Sequence, residues 1–219
     1  VPLVTRLPNP EGKGEIKMLD LLVNSLRMRP DRIILGEIRR RADAEVLFES
    51  MHTGHSVYAT VHANTVSETI QRLINPPIEV AENLLQAVHL NVVMFRDRKR
   101  GIRRIFQVGE FLASEEEGRV RIKPNIIYRW KPGVDKIVQH GTSARFFEEI
   151  NRHTGLSDTE ITKDMREKQT ILDWMLKNKI RQVNDVGKVM KEYYLDPEKV
   201  VKIASRNGNS GEILRNDTL

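Results

Sequence analysis

The sequence contains no cysteine, which excludes disulfide bonds, cysteine-ligated zinc and thiol catalysis. It also has no apolar run of the roughly 20 residues that a membrane-spanning helix needs. The first residues, VPLVTRLPNPEGKGE, lack the basic region followed by an apolar one that marks a signal peptide. The absence of cysteine fits a cytoplasmic protein, although proteins of any compartment can share it.

The residues that are present have a composition typical of a globular protein, with 39% hydrophobic and 30% charged among 219. The net charge of +6 is compatible with a nucleic-acid-binding domain or an anionic surface. However, the basic residues are spread along the chain, and their dense cluster flanks Gly101 between two apolar runs. That position predicts the tip of a β-hairpin, where solvated charge discourages aggregation, and we expect no nucleic-acid partner. The cluster comprises Arg96, Arg98, Lys99, Arg100, Arg103 and Arg104.

The pattern of the chain changes near residue 141. Residues 1–141 alternate short β-rich runs with helical patterns, which predicts an α/β domain. Residues 142–219 have helical periodicity and predict an all-α C-terminal domain, with disorder over 207–219. The predicted helices of this domain span about 143–153, 157–178, 182–194 and 196–206. Its expected core consists of Phe146, Phe147, Ile150, Ile171, Trp174, Met175 and Ile180.

The first domain is predicted to combine parallel strands with antiparallel strands at a sheet edge. The parallel strands cover 32–36 and 57–62, and each is preceded and followed by a helix. The predicted helices are 15–28, 42–52, 64–74 and 80–88, and the antiparallel strands are 89–95, 103–111 and 119–130.

An acidic residue follows the first parallel strand. Residues 29–40 read RPDRIILGEIRR, and the apolar run from Ile33 to Leu35 predicts a strand buried on both faces, after which Glu37 emerges. Ligands of open α/β sheets bind beyond the carboxyl ends of the strands. A carboxylate there can hold a magnesium-bound water or orient an attacking water. For this segment taken alone, however, an ordinary surface carboxylate is the favoured interpretation.

Two histidines flank the second parallel strand, in TGHSVYATVHANT at 53–65. His62 ends the strand, and a right-handed crossover places both strand ends at one sheet edge. We therefore expect His62 and Glu37 to face one crevice, where they are suited to sensing a γ-phosphate. His55 precedes the strand and belongs to the opposite edge unless the chain bends, so a structural role fits it equally well.

Residues 29–73, with the motifs GEIR, TGH and VHAN, resemble the Walker B and histidine-box region of the type II/IV secretion ATPase superfamily. That superfamily comprises the hexameric motors of type IV pili, type II secretion and the archaeal flagellum. Three further stretches resemble its archaeal branch: RLINPPIEV at 72–80, IIYRWKPGVDKI at 126–137 and ILDWMLKNKIRQVNDVGKVMKEYYLDPEKV at 171–200.

The resemblance implies the second half of a RecA-like P-loop NTPase core that uses ATP and Mg²⁺. It further implies a cytoplasmic homo-hexamer at the membrane periphery, docked on an inner-membrane platform protein and acting indirectly on secreted or pilin-like substrates. Glu37 matches the Walker B acid, which supports Mg²⁺ through water and hydrolysis, while His55 and His62 match the histidine box. Arginines of this family reach a neighbouring subunit's nucleotide. The candidates are Arg6, Arg27, Arg29, Arg39 and Arg72, for each of which a surface salt bridge is the simpler reading.

The phosphate-binding loop GxxxxGK[ST] is missing from the sequence. At Gly12-Lys13, Leu7 replaces the first glycine and Gly14 replaces the hydroxyl residue. The sequence therefore predicts a C-terminal fragment of a longer ATPase that does not hydrolyse ATP alone. The alternative is a stand-alone, non-catalytic assembly module of the same machinery.

Overall fold

The computed structural model describes residues 1–214, which form two compact units that divide between Arg145 and Phe146. The sequence placed this boundary at 141. The first unit contains α1 (Met18–Leu26), β1 (Arg32–Leu35), α2 (Arg41–His52), β2 (Ser56–Ala59) and α3 (Val66–Ile74), then a 3₁₀ helix (Glu82–Ala87), β3 (Asn91–Asp97), β4 (Ile102–Glu116), β5 (Arg119–Lys131) and β6 (Lys136–Gln139). The second contains α4 (Phe146–Thr154), α5 (Asp158–Lys177), α6 (Val183–Leu195), α7 (Pro197–Ser205) and α8 (Gly211–Leu214).

The parallel sheet consists of β1 and β2, joined through α2, with Ile33 opposite Val57 and Leu35 opposite Ala59. Ile33 and Leu35 are buried in the core of the first unit, but Ile34 is 80% exposed. The expectation that β1 is buried on both faces is therefore wrong. Successive side chains of a strand point to opposite faces, and only one face of this sheet is covered by the described residues.

The antiparallel sheet has the order β3-β4-β5-β6. Its first hairpin carries the basic cluster at its turn, as predicted, and register shifts lie between Val93 and Met94 and between Val108 and Gly109. β4 is longer than expected because it continues to Glu116, opposite Arg119. The sequence reading missed β6. The mixed α/β architecture, with parallel strands, antiparallel strands and a helical C-terminal unit, is confirmed.

A 3₁₀ helix replaces the α-helix predicted over 80–88. The Glu82 side chain in its first turn accepts hydrogen bonds from the backbone N–H of Ile122 at 2.8 Å and from Arg121 at 3.1 Å. These bonds tie the segment to β5, and Leu85 fills the core beneath it with 0% exposure.

The helical unit forms its own core around Trp174, which is 1% exposed. Ser157 and Glu160 form the predicted capping box at the start of α5, and Pro197 lies in the first turn of α7. Two expectations are wrong. Residues 211–214 form α8, because Ile213 packs into the core and the Trp174 indole donates to Gly208 O at 2.8 Å. Phe146, Phe147 and Ile150 are only half-buried and lie outside that core. Residues 215–219 lie outside the described part of the chain.

Among residues 1–214, no helix is long and apolar enough to cross a membrane.

Candidate active site

The segments that follow β1 and β2 stay connected beyond the strand ends. The Ile38 backbone N–H donates to Thr60 O at 2.9 Å, and the Thr60 hydroxyl donates to Gly36 O. β1 ends at Leu35 and β2 at Ala59, short of the predicted ends at 36 and 62. Glu37 and His62 thus follow the strands instead of ending them, and they reach the same sheet edge, as a parallel crossover requires.

Glu37 forms the centre of a small charged cluster. His62 Nε2 lies 3.0 Å from Glu37 Oε1, and Arg39 Nε donates to Glu37 Oε2 at 2.6 Å. The Glu37 side chain is 19% exposed, whereas those of His62 and Arg39 are 82% and 74% exposed. Glu37 is thus half-buried, and the two side chains that touch it project into solvent, where they remain accessible to a ligand.

The surrounding charges keep Glu37 ionised. The hydrogen bond from Arg39 lowers the pKa of the Glu37 carboxyl most, against a smaller opposing effect of burial. The positive charges of Arg39, His62 and Arg72 lower this pKa further. At neutral pH Glu37 is therefore a carboxylate, the form that accepts a proton or holds a cation.

This donor set is compatible with Mg²⁺ bound through water and nucleotide oxygens. Mg²⁺ usually keeps several waters and takes one or two protein carboxylates, and Glu37 provides one. No group of three or more potential metal-ligating side chains occurs within 1–214. A cation enclosed entirely by protein ligands is therefore not supported, whereas a nucleotide-borne Mg²⁺ fits.

The candidate arginines separate into two groups. Arg39 contacts Glu37, and Arg72 in α3 is near enough for its charge to act on Glu37. Arg6 is elsewhere, where its Nε donates to Gly14 O at 2.6 Å and its backbone pairs with Ile16. Arg27 ends α1, and Arg29 follows it with a positive φ of 50°; both are exposed and away from the Glu37 edge.

His55 is not part of this cluster. It precedes β2 and thus lies at the opposite edge of the parallel pair, as the strand direction predicted. Its Nδ1 is 3.3 Å from Ser50 O, and its backbone N–H donates to the same oxygen at 3.0 Å. Within one chain, His55 therefore closes the turn between α2 and β2.

The sequence reading missed Gln107, which supports the histidine loop. Gln107 on β4 is 4% exposed, and its Oε1 accepts the backbone N–H of Val66 at 2.9 Å. Val66 begins α3, directly after the loop that carries His62. The available signal was a single amide residue inside the apolar run IFQVGEFL, since a polar side chain on a buried strand needs a partner.

Comparison with known proteins assigns the chain to a family. Residues 2–109 match the family model described as "Type II/IV secretion system protein". The chain is 32% identical over 201 residues to the uncharacterized protein MJ0900 of Methanocaldococcus jannaschii, covering 88% of this chain and 35% of that relative. It is 30% identical over 184 residues to MJ1287 of the same organism, covering 82% of this chain and 67% of MJ1287.

Two further matches are to named ATPases. The type IV pilus assembly ATPase PilB of Pseudomonas aeruginosa is 40% identical over 74 residues, covering 34% of this chain and 13% of PilB. The X-ray structure of the Legionella pneumophila ATPase DotB aligns with a TM-score of 0.31 and 21% identity, covering 53% of this chain and 29% of DotB.

The chain belongs to the type II/IV secretion system protein family. It spans only about a third of the length of MJ0900, since the aligned region covers 35% of that relative.

Proposed function

We propose that this chain carries the hydrolysis-supporting part of the nucleotide site in a motor ATPase that powers protein secretion or assembly of a pilus or archaellum. One observation carries the proposal: His62 Nε2 lies 3.0 Å from Glu37 Oε1, beyond the ends of two parallel strands. Ligand sites of open α/β sheets occupy this position. Membership of the secretion family supports this nucleotide-hydrolysing role over that of an unrelated surface carboxylate.

Each residue of the cluster has a distinct role in this proposal. Glu37, held ionised, orients the attacking water or a water of the magnesium shell. His62 projects into solvent and is free to contact a terminal phosphate. Arg39 and Arg72 supply positive charge, since a guanidinium fork matches phosphate oxygens. Bound ATP·Mg²⁺ would bring the phosphoryl group to be transferred and the cation that neutralises its charge.

The phosphate cradle is proposed to lie outside these residues. The 219 residues contain no P-loop motif, and relatives such as MJ0900 are longer. We expect the present chain alone to be inactive. The complete protein is proposed to be a cytoplasmic homo-hexamer that docks on an inner-membrane platform protein and acts on secreted or pilin-like substrates through it. In such a ring Arg6, Arg27, Arg29 and His55 are candidates for contacts across subunits.

The direct test is Glu37→Gln in a longer protein that contains both this chain and a P-loop. We expect ATP turnover to fall at least about 100-fold, while binding of a fluorescent ATP analogue is retained, because the variant removes the charge and keeps the shape. Glu45→Gln is the matched control, since Glu45 pairs with Arg41 on the exposed surface of α2. Hydrolysis that survives in the Glu37 variant would show that the catalytic assignment is wrong.

Nucleotide binding by the isolated chain tests whether the phosphate cradle lies outside these residues. Titration calorimetry with Mg²⁺ and a slowly hydrolysed ATP analogue should show no binding if the cradle lies elsewhere. Saturable binding that disappears in Glu37→Gln would mean that the chain holds nucleotide by itself.

A further inference from the structure

The first turn of α3 is attached to β4 by a buried hydrogen bond. The Val66 N–H has no acceptor within its own helix, as is usual for the first residues of a helix. Gln107 Oε1 accepts it at 2.9 Å, from a side chain that is 4% exposed. Val66 itself is completely buried. A buried N–H that loses its acceptor costs free energy, so this bond opposes any displacement of α3 from β4.

A glycine allows this close approach. A Cβ atom at Gly109 would lie 2.9 Å from Val66 Cγ2 and 2.9 Å from Asn125 O, distances that are too short for carbon. Gln107 bonds the Val66 backbone and Gly109 lies against the Val66 side chain, so both positions approach the start of α3. We call Gln107 and Gly109 the β4 clamp.

The β4 clamp does not merely cap the helix. Thr65 already caps α3, because its hydroxyl accepts the Glu68 N–H at 3.0 Å. The Asn64 N–H also donates to Glu68, at 2.9 Å. These local bonds cap the start of α3 without any contribution from β4. Gln107 instead acts across 41 positions of sequence and fixes where the helix begins relative to the antiparallel sheet.

His62 depends on such anchoring. Its side chain is 82% exposed, so packing does not hold it. The loop is tied at one end to the segment of Glu37, through Thr60 and Gly36, and at the other end to β4, through Val66. With both ends fixed, the short stretch between Thr60 and Val66 leaves His62 little freedom.

We infer that the β4 clamp, Gln107 with Gly109, positions His62 against Glu37. The antiparallel sheet thereby sets the geometry of a site formed at the edge of the parallel strands. Gln107 is a positioning residue, since it touches the backbone of α3 and not the reacting groups. The inference rests on the proposed function for its catalytic meaning, but the geometric dependence is measurable without nucleotide.

NMR of the histidine rings of the complete 219-residue chain tests the inference. In the parent sequence, Glu37→Gln should shift the His62 ring signals, because it removes the carboxylate in contact with the ring. In a Gln107→Met background most of that shift should disappear, since the straight side chain fills similar space without a comparable acceptor. Gln107→Glu should restore the shift, because a carboxyl oxygen still accepts the Val66 N–H. Unchanged His52 signals, which report on α2, would show that the fold is intact.

A full Glu37-dependent shift in the folded Gln107→Met variant would overturn the inference. If that variant does not fold, Gly109→Ala replaces it, with Gly133→Ala as control because a Cβ at Gly133 meets nothing within 4 Å. Loss of the shift in Gly109→Ala but not in Gly133→Ala supports the inference. Retention of the shift there refutes it.

Activity in a longer, P-loop-containing protein separates this inference from the proposed function. Gln107→Met should lower kcat about 10- to 100-fold with little change in KM for ATP, as expected for a misplaced catalytic group. If Gln107→Met removes the Glu37-dependent shift of the His62 ring signals but leaves kcat unchanged, the positioning role stands and the catalytic role of His62 is refuted. If Glu37→Gln abolishes turnover but the His62 ring shift persists in Gln107→Met, the proposed function stands and the positioning role of the β4 clamp is refuted.

Discussion

Removing the Glu110 carboxylate should selectively destabilise the first unit. Glu110 on β4 is 2% exposed and holds the segment that precedes α4. Its Oε1 accepts the Ala144 N–H at 2.6 Å and Asn125 Nδ2 at 2.8 Å, while Oε2 accepts the Ser143 hydroxyl at 2.7 Å. Glu110→Ala removes the acceptor for these three donors.

The magnitude follows from these donors. The three donors are only partly buried, so each lost bond should cost about 0.5 to 1.5 kcal/mol and Glu110→Ala about 1.5 to 4.5 kcal/mol. Glu110→Gln should cost only about 1 to 2 kcal/mol. Its amide keeps one oxygen, and the Ser143 hydroxyl can rotate to accept from the new NH₂ group.

The two tryptophans provide the assay, since Trp130 lies in the first unit and Trp174 in the second. Urea unfolding of protein labelled with 5-fluorotryptophan follows each unit through its own ¹⁹F signal. The Trp130 transition should move to lower urea in Glu110→Ala, and less so in Glu110→Gln. Equal destabilisation by the two substitutions would refute the hydrogen-bond reasoning. An unchanged Trp130 transition would refute the anchoring role.

The pH dependence gives a second readout of Glu110. Burial alone would raise the pKa of Glu110, but hydrogen bonds from Ser143, Ala144, Asn125 and the Arg145 backbone outweigh it and lower the pKa below 4.5. A lowered folded-state pKa contributes stability that is present above the unfolded-state pKa. That contribution is lost as the pH falls through the folded-state value, and Glu110→Gln should abolish this part of the acid sensitivity.

Two further predictions concern single contacts. Hydrogen bonds from Arg104 and Trp130 lower the pKa of Asp135 to about 2, so the Trp130 indole N–H signal should titrate near that pH. The stability from this contact should be present above the ordinary 3.8 and be lost only as the pH falls through about 2. Gly187→Ala in α6 should stabilise the second unit by about 0.5 to 1 kcal/mol, since its Cβ meets nothing within 4 Å. Gly208→Ala should destabilise it in the same urea assay, because that Cβ would lie 3.1 Å from Cγ2 of the buried Ile203.

Local signals predicted the regular elements better than the irregular ones. The Ser157–Glu160 capping box and Pro197 mark helix starts through bonds within a few residues, so they are visible in sequence. The attachment of the 3₁₀ helix around Leu85 depends on Glu82 reaching Ile122, 40 positions away on β5. α8 likewise depends on burial of Ile213 beside Trp174. Such long-range contacts leave no periodic pattern in the sequence.

The candidate site was predictable to the extent that topology determines it. Parallel strands joined by one helix bring their carboxyl ends together, so the proximity of Glu37 and His62 follows from strand order. The strand order did not predict which of the five candidate arginines contacts Glu37, which is Arg39 in the structure. It depends on the path of the chain after Leu35, which is irregular there. Gln107 was hidden for another reason: its partner is a backbone N–H of α3, and any acceptor side chain on β4 would look the same in sequence.

The ion pairs around Glu37 determine its charge but contribute little to the fold. Arg39 and His62 are mostly exposed, and exposed pairs exchange readily with water and salt. The backbone of this edge is held independently, by the Ile38–Thr60 bond at 2.9 Å and by Ile33 and Leu35 in the core. Glu37→Gln should therefore leave unfolding by urea nearly unchanged. Because stability and chemistry are separable at this position, loss of turnover in that variant would report on catalysis and not on folding.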